Sequence, residues 1–219
     1  MTNYVILYSY KSHFVTAEDE ERMEENGQKL WDWVESVLRY DPISWDRLPE
    51  LELYMDQVIT LMNKELEPFA VSGERLLTPS MINNYVKDGV LPRPNQKKYS
   101  KDHLSRLLMV CMLKSVLSLP QINATLRGLT STQPIDMLYQ DFADAQSIAL
   151  REVAERISSL SDPSEETMYQ LAIGLALEAN ARRIAAARIL DCLRPEEPEE
   201  TGGKEARKGK KEKTESSGN

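Results

Sequence analysis

The stretch LTPSMINNYVKDGVLPRPNQKKYS, residues 77–100, decides how this chain is read. Thr78 is placed to accept hydrogen bonds from free backbone amides, and Pro79 suits the first helical position, where its missing N–H costs nothing. Gly89 follows Asp88 as a left-handed stop. The expected helix, 79–88, is too short to stand alone, so other elements must hold it. At 100° per residue, Ser80, Asn83, Asn84 and Lys87 share one arc, and Met81, Ile82, Tyr85 and Val86 fill the opposite side. One face is built for hydrogen bonding and the other for a core. Adjacent asparagines are poor helix formers, and a merely solvated face ordinarily uses Glu, Lys and Gln. Asn can pair with adenine through two hydrogen bonds, Ser with several base edges, and Lys with guanine or phosphate.

The same block continues as VLPRPNQKKYS, where two prolines restrict the backbone and Pro94-Asn95-Gln96 can turn it. This predicts a two-strand β-ribbon, a wing, over 90–100. Its Arg93, Lys97, Lys98 and Tyr99 would grip phosphates beside a groove. The candidate DNA-binding set is therefore Thr78, Ser80, Asn83, Asn84, Lys87, Arg93, Lys97, Lys98 and Tyr99.

Charge sets this block apart. The whole chain of 219 residues carries a formal −8. Residues 1–74 hold 6 basic and 16 acidic side chains, net −10, and 129–219 hold 12 and 17, net −5. Residues 75–128 hold 9 basic and 2 acidic, net +7. A local positive field inside an acidic protein suits a specific polyanion contact better than general adhesion, although composition alone favours the plainer reading, a charged solvated face.

Around the block the pattern is helical. Glu18–Tyr40 reads as an acidic amphipathic helix with Leu30, Trp31, Val34, Val37 and Leu38 on one side. A second helix is expected over Leu51–Leu66, where Tyr54, Met55, Val58, Ile59, Met62 and Leu66 recur at three- and four-residue spacing, and Pro68 stops it. Val71–Arg75 reads as a loop. Ser100 caps a helix expected to run to about Leu117, with Tyr99 and Leu104 as a hydrophobic staple. Pro120 opens another that ends near Gly128. Longer helices follow over Ile135–Leu160 and Glu165–Leu193, the last rich in alanine. The chain thus divides into an acidic N-terminal segment with one helix, 1–47; a winged helix-turn-helix domain, 48–130; a C-terminal helical pair, 131–193; and a disordered tail, 194–219, from which apolar residues vanish. The opening YVILY, 4–8, reads as a strand or a sticky tail.

Other function classes find little support. There is no nucleophile–base set, glycine-rich phosphate loop or metal-ligand spacing, so the expectation is a non-enzyme without cofactor or metal. His13 and His103 are too isolated for zinc, and Cys111 and Cys192, each within an apolar helical pattern, read as buried inert thiols. No stretch is long and apolar enough for a membrane span or a signal region, which predicts a cytoplasmic protein. No small-molecule effector is evident.

Three words carry a resemblance: LELYMDQVITLMNKEL, LTPSMINNYVKDGVLPRPNQKKYSKDHL and MLKSVLSLPQINATL. They resemble the bacterial family catalogued as a domain of unknown function, number 1836, over roughly 48–193. That family in turn is similar to MerR-type winged helix-turn-helix proteins. Those carry a "YYE..GLL" helix end, a basic wing ending in tyrosine and an "SL.EI" helix in that order. Here the matching text is Asn84-Tyr85-Val86-Lys87-Asp88-Gly89-Val90-Leu91, then Lys98-Tyr99, then Ser118-Leu119-Pro120-Gln121-Ile122. Asn83 and Asn84 replace the usual arginine and second aromatic, and the 67–77 loop is longer than the MerR turn. The resemblance implies a mainly α, MerR-like winged helix-turn-helix fold with additional helices. It also implies a transcriptional regulator of double-stranded DNA acting as a two-fold homodimer; the C-terminal helices, with the alanine-rich face of Glu165–Leu193, are the candidate contact, and the alternative is that this helix packs only on Ile135–Leu160 of the same chain. The competing expectation is a non-catalytic protein–protein interaction module that retains a winged-helix shell.

Overall fold

The computed structural model describes residues 17–69, 76–160 and 164–193. The opening 4–8, read as a strand or a sticky tail, the 71–75 loop and the 194–219 tail lie outside the described residues. Among the described residues the fold is mainly helical, with one two-strand antiparallel sheet. The helices are α1 (Ala17–Leu38), α2 (Met55–Leu66), α3 (Pro79–Lys87), α4 (Lys101–Leu113), α5 (Leu119–Thr130), α6 (Ile135–Ser158) and α7 (Glu165–Cys192); the strands are β1 (Leu53–Tyr54) and β2 (Lys98–Tyr99).

α4 is the centre of the molecule because it is apolar nearly all round. Leu104, Leu107, Met109 and Val110 are fully buried. Around them pack Val58, Met62 and Leu66 of α2, Ile82 and Tyr85 of α3, Ile122 and Leu126 of α5, and Leu138 and Tyr139 of α6. Tyr139 donates its hydroxyl proton to the Ile43 carbonyl at 2.6 Å, which ties the chain after α1 to α6. This core takes in side chains from both sides of the expected boundaries at 47–48 and 130–131. A separate, smaller cluster joins Val34 and Val37 of α1 to Ala154 and Ile157 of α6, with Leu30, Trp31 and Leu38 at its edge, as the stripe on α1 predicts.

Expected boundaries move at two places, the α4–α5 junction and the start of α2. α4 ends at Leu113, four residues before Leu117. Ser118 explains this: it adopts an extended backbone to cap α5, so the chain must turn before it. The Gln121 side chain accepts from the Ser118 N–H at 3.0 Å, closing a capping box. Val116 and Leu117 therefore bond back to the Leu113 carbonyl instead of continuing the helix. α5 runs through Gly128 to Thr130. At the other boundary α2 starts at Met55, and Leu53–Tyr54 is strand. Gln57 accepts from the Tyr54 N–H at 2.9 Å and caps α2 there. Tyr54 lies four residues before Val58 and so matches the helical period without being in the helix.

Candidate nucleic-acid interface

α3 is held as its sequence predicts. The Thr78 hydroxyl accepts from the Met81 N–H at 3.3 Å, Pro79 occupies the first turn, and Gly89 stops the helix at φ +72°. After that stop, the Val90 and Leu91 N–H groups both donate to the Tyr85 carbonyl, at 2.9 and 3.0 Å. Val90 and Leu91 are themselves buried, so the exit of α3 is pinned from both sides. Ile82 is 0% exposed and Tyr85 4%, while Met81 and Val86 are half-buried. Burial also pushes the Tyr85 phenol up to about 12, so it stays neutral and remains a core group.

Ser80, Asn83, Asn84 and Lys87 are all exposed on the other face. The helix therefore presents four adjacent hydrogen-bonding side chains on a rigid rod whose reverse side is locked into the core. Thr78 is half-buried, with its hydroxyl engaged as the cap.

The wing differs from the expected ribbon. Within 90–100 strand pairing is confined to a single bridge between Asn95 and Lys98. The Lys98 N–H donates to the Asn95 carbonyl at 2.8 Å, and Gln96 and Lys97 between them sit at φ 48° and 64°. That is a tight turn with two left-handed residues, a backbone that L side chains adopt at some cost. The longer ladder forms elsewhere: Lys98 faces Tyr54 and Tyr99 faces Leu53 across β1 and β2. Partners 46 and 44 positions away in sequence leave no local pairing signal.

Arg93 and Lys97 are exposed and Lys98 is half-buried, its ammonium 5.6 Å from the centre of the exposed Tyr54 ring. Tyr99 is corrected. It is 3% exposed and stacks edge-on against His103 with ring centres 5.7 Å apart, so it anchors the wing and cannot grip a phosphate with its side chain. His103 in turn clamps the start of α4: its Nδ1 accepts from the Ser100 N–H at 3.1 Å. Nδ1 thus serves as acceptor and the ring proton sits on Nε2, which is buried near the Arg93 backbone without a well-aligned partner. Burial, the largest influence, holds the His103 pKa below its ordinary 6.5.

The positive field is narrower than composition suggests. Lys101 pairs with Glu50, and Lys114 donates to the Leu76 carbonyl at 2.8 Å. Lys87, Arg93, Lys97 and Arg127 remain exposed. Arg127 was not in the sequence-derived set. It and Asn123 line a cavity of about 270 Å³ with Asp88 and Val90, which brings α5 against the exit of α3. Tyr54 was missed too, because helical periodicity assigned it to α2. Cys192 is exposed rather than buried, since α7 leaves it at a helix end; Cys111 is buried, and its thiol is pushed up to about 11 by burial. Among the described residues no helix is long and apolar enough to cross a membrane.

Residues 43–142 match the model of a family described as domain of unknown function (DUF1836). The DUF1836 match begins at Ile43, where the main core begins, and ends at Phe142, just past Tyr139. It stops well short of the expected 193, so α7 lies beyond it. No curated protein and no solved structure matches the chain.

Proposed function

We propose that the DUF1836 segment is a MerR-like winged helix-turn-helix that binds double-stranded DNA sequence-specifically and regulates transcription. α2 and α3 form the helix-turn-helix, α3 enters the major groove, and the 95–98 turn rests on the flanking phosphates. One observation carries the reading: Ser80, Asn83, Asn84 and Lys87 are exposed together while Ile82 and Tyr85 of the same nine-residue helix are buried. Asn83 and Asn84 supply donor and acceptor together, as adenine edges require, and Lys87 supplies a cation. Lys97, Lys98, Arg93 and Arg127 supply the sequence-independent attraction. The acidic remainder of the chain limits adhesion to DNA at large.

The test is selection of a preferred site from a random duplex pool, followed by anisotropy titration of that site and of an unrelated duplex. The proposal requires enrichment of one motif. A second reading, a protein-interaction module with a winged-helix shell, is favoured by the exposed apolar side chains of α7. Failure to enrich any motif, with the protein folded, would leave that reading standing.

A further inference from the structure

α7 rests against α6 through a seam that is not filled. On α7, Leu171, Leu175, Ala179, Arg182 and Ala186 recur at three- and four-residue spacing and so share one face. Leu171 packs at the edge of the α1–α6 cluster. Past it, a close-packed helix pair needs bulky apolar side chains along this face, and the chain supplies Ala179 and Ala186 instead. The result is a cavity of about 640 Å³, walled by Val153 of α6, by Leu175, Ala179 and Ala186 of α7, and by Val116 and Leu117 of the turn before α5. None of the residues of α7 is buried, in keeping with that gap. The volume falls in the range that holds small organic ligands, about 300–1,000 Å³. Apolar walls facing a void forfeit dispersion contacts that a matching occupant restores. From Leu175 to Ala186 the helical wall is about 16 Å long, which suits an elongated occupant.

Charge sets the polar end of that occupant. Three guanidinium groups line the cavity, Arg156, Arg182 and Arg183, against two carboxylates, Glu152 and Glu178. Glu178 is already compensated. Arg156 donates to it at 2.5 Å, and that hydrogen bond, with the charge of Arg182 adding to it, holds its carboxyl below the ordinary range. Arg183 donates to the Asn180 amide oxygen at 3.1 Å, and neither it nor Arg182 forms a salt bridge among the described residues. Both are exposed, one turn past Ala179. With Glu152 set against them, one positive charge is left over at this end of an apolar cavity. We propose that the α6–α7 cavity binds a free amphipathic monocarboxylate, its acyl chain along Leu175 and Val153 and its carboxylate on Arg182 and Arg183. Guanidinium groups meet a carboxylate through paired N–H donors, which fixes the orientation of the chain. This rests on neither the DNA reading nor the family match, which ends at 142.

The experiment is isothermal titration calorimetry of the full chain with decanoate, decanol and decyltrimethylammonium, each below its micelle or solubility limit. Decanoate is expected to bind about tenfold or more tighter than decanol, and decyltrimethylammonium more weakly than either. Ala179→Trp should fill the cavity and abolish decanoate binding while the helical circular dichroism is retained. Arg182→Gln with Arg183→Gln should remove the preference for decanoate and leave decanol binding as it was. No binding of decanoate to the parent would overturn the proposal. So would equal affinity for decanoate and decyltrimethylammonium, a preference for decanoate that survives loss of both arginines, or decanoate binding unchanged in folded Ala179→Trp.

Discussion

Among the described residues, the shortest and longest α-helices behave in opposite ways. α3 has nine residues and buries Ile82 and Tyr85; α7 has 28 and buries nothing. α3 cannot persist alone, yet its cap, its glycine stop and the two N–H groups donating to the Tyr85 carbonyl hold it firmly. α7 has the length to be helical alone, and the rest of the chain spends little contact on it. Length therefore says little about rigidity; burial decides it. The rigid helix is the one that displays asparagines, and the lightly held one displays Ile173 and Leu177. The proposed base recognition rests on the first of these two.

The comparison is sharpest at two isoleucines. Ile82→Ala should cost about 2–5 kcal/mol, because it opens a cavity beside Leu104 and Tyr85. Ile173→Ala should stay within about 0.5 kcal/mol of the parent, because Ile173 is 62% exposed. Urea unfolding reads both, and equal losses would erase the distinction. Next in size is Gly89→Ala. A Cβ there meets nothing closer than the Asn123 Nδ2 at 3.9 Å, so the penalty is backbone conformation, about 1–2 kcal/mol at φ +72°. A neutral result would show that the stop of α3 is not under the constraint described.

His103 gives a pH dependence. Its folded pKa lies below 6.5, so in the interval between the two values the unfolded chain binds a proton that the folded chain does not. Stability from this group is present above the ordinary value and falls as pH drops below about 6.5. His103→Gln should flatten that part of the melting-temperature profile; an unchanged profile would remove the role of His103 beneath the wing. The smallest effect is at Lys97. Replacing it by Gly relieves a left-handed residue, so Lys97→Gly should hold or raise stability by up to about 1 kcal/mol. The same change should weaken DNA binding, which would separate the turn's shape from its charge.

Much of this was legible in the sequence, for local reasons. The Thr78 cap, Pro79, Gly89 and the two faces of α3 all follow from residues within one or two turns of each other. The α1 stripe that meets α6 was legible from its period alone. What was hidden depends on distant partners. β1 pairs with β2 across the whole of α2 and α3, so Tyr54 read as helix and the wing read as a self-contained ribbon. Tyr99 looked like a wing residue available to phosphate because sequence does not reveal which side of a two-residue strand faces the core. Lys101 belongs to the positive block by composition, but Glu50, from outside the block, pairs with it.

The central claim is that α3 reads bases while the wing holds phosphates, and one measurement separates the two. Asn83→Ala, Lys98→Ala and the parent are titrated against the selected duplex and a random duplex across a salt series. The account predicts that Asn83→Ala loses about 1–3 kcal/mol on the selected site and little on the random one. Lys98→Ala should weaken both and flatten the slope of log K against log salt by about one unit. Folded variants that bind both duplexes as the parent does, at every salt concentration, would contradict it and mark residues 77–100 as a solvated surface.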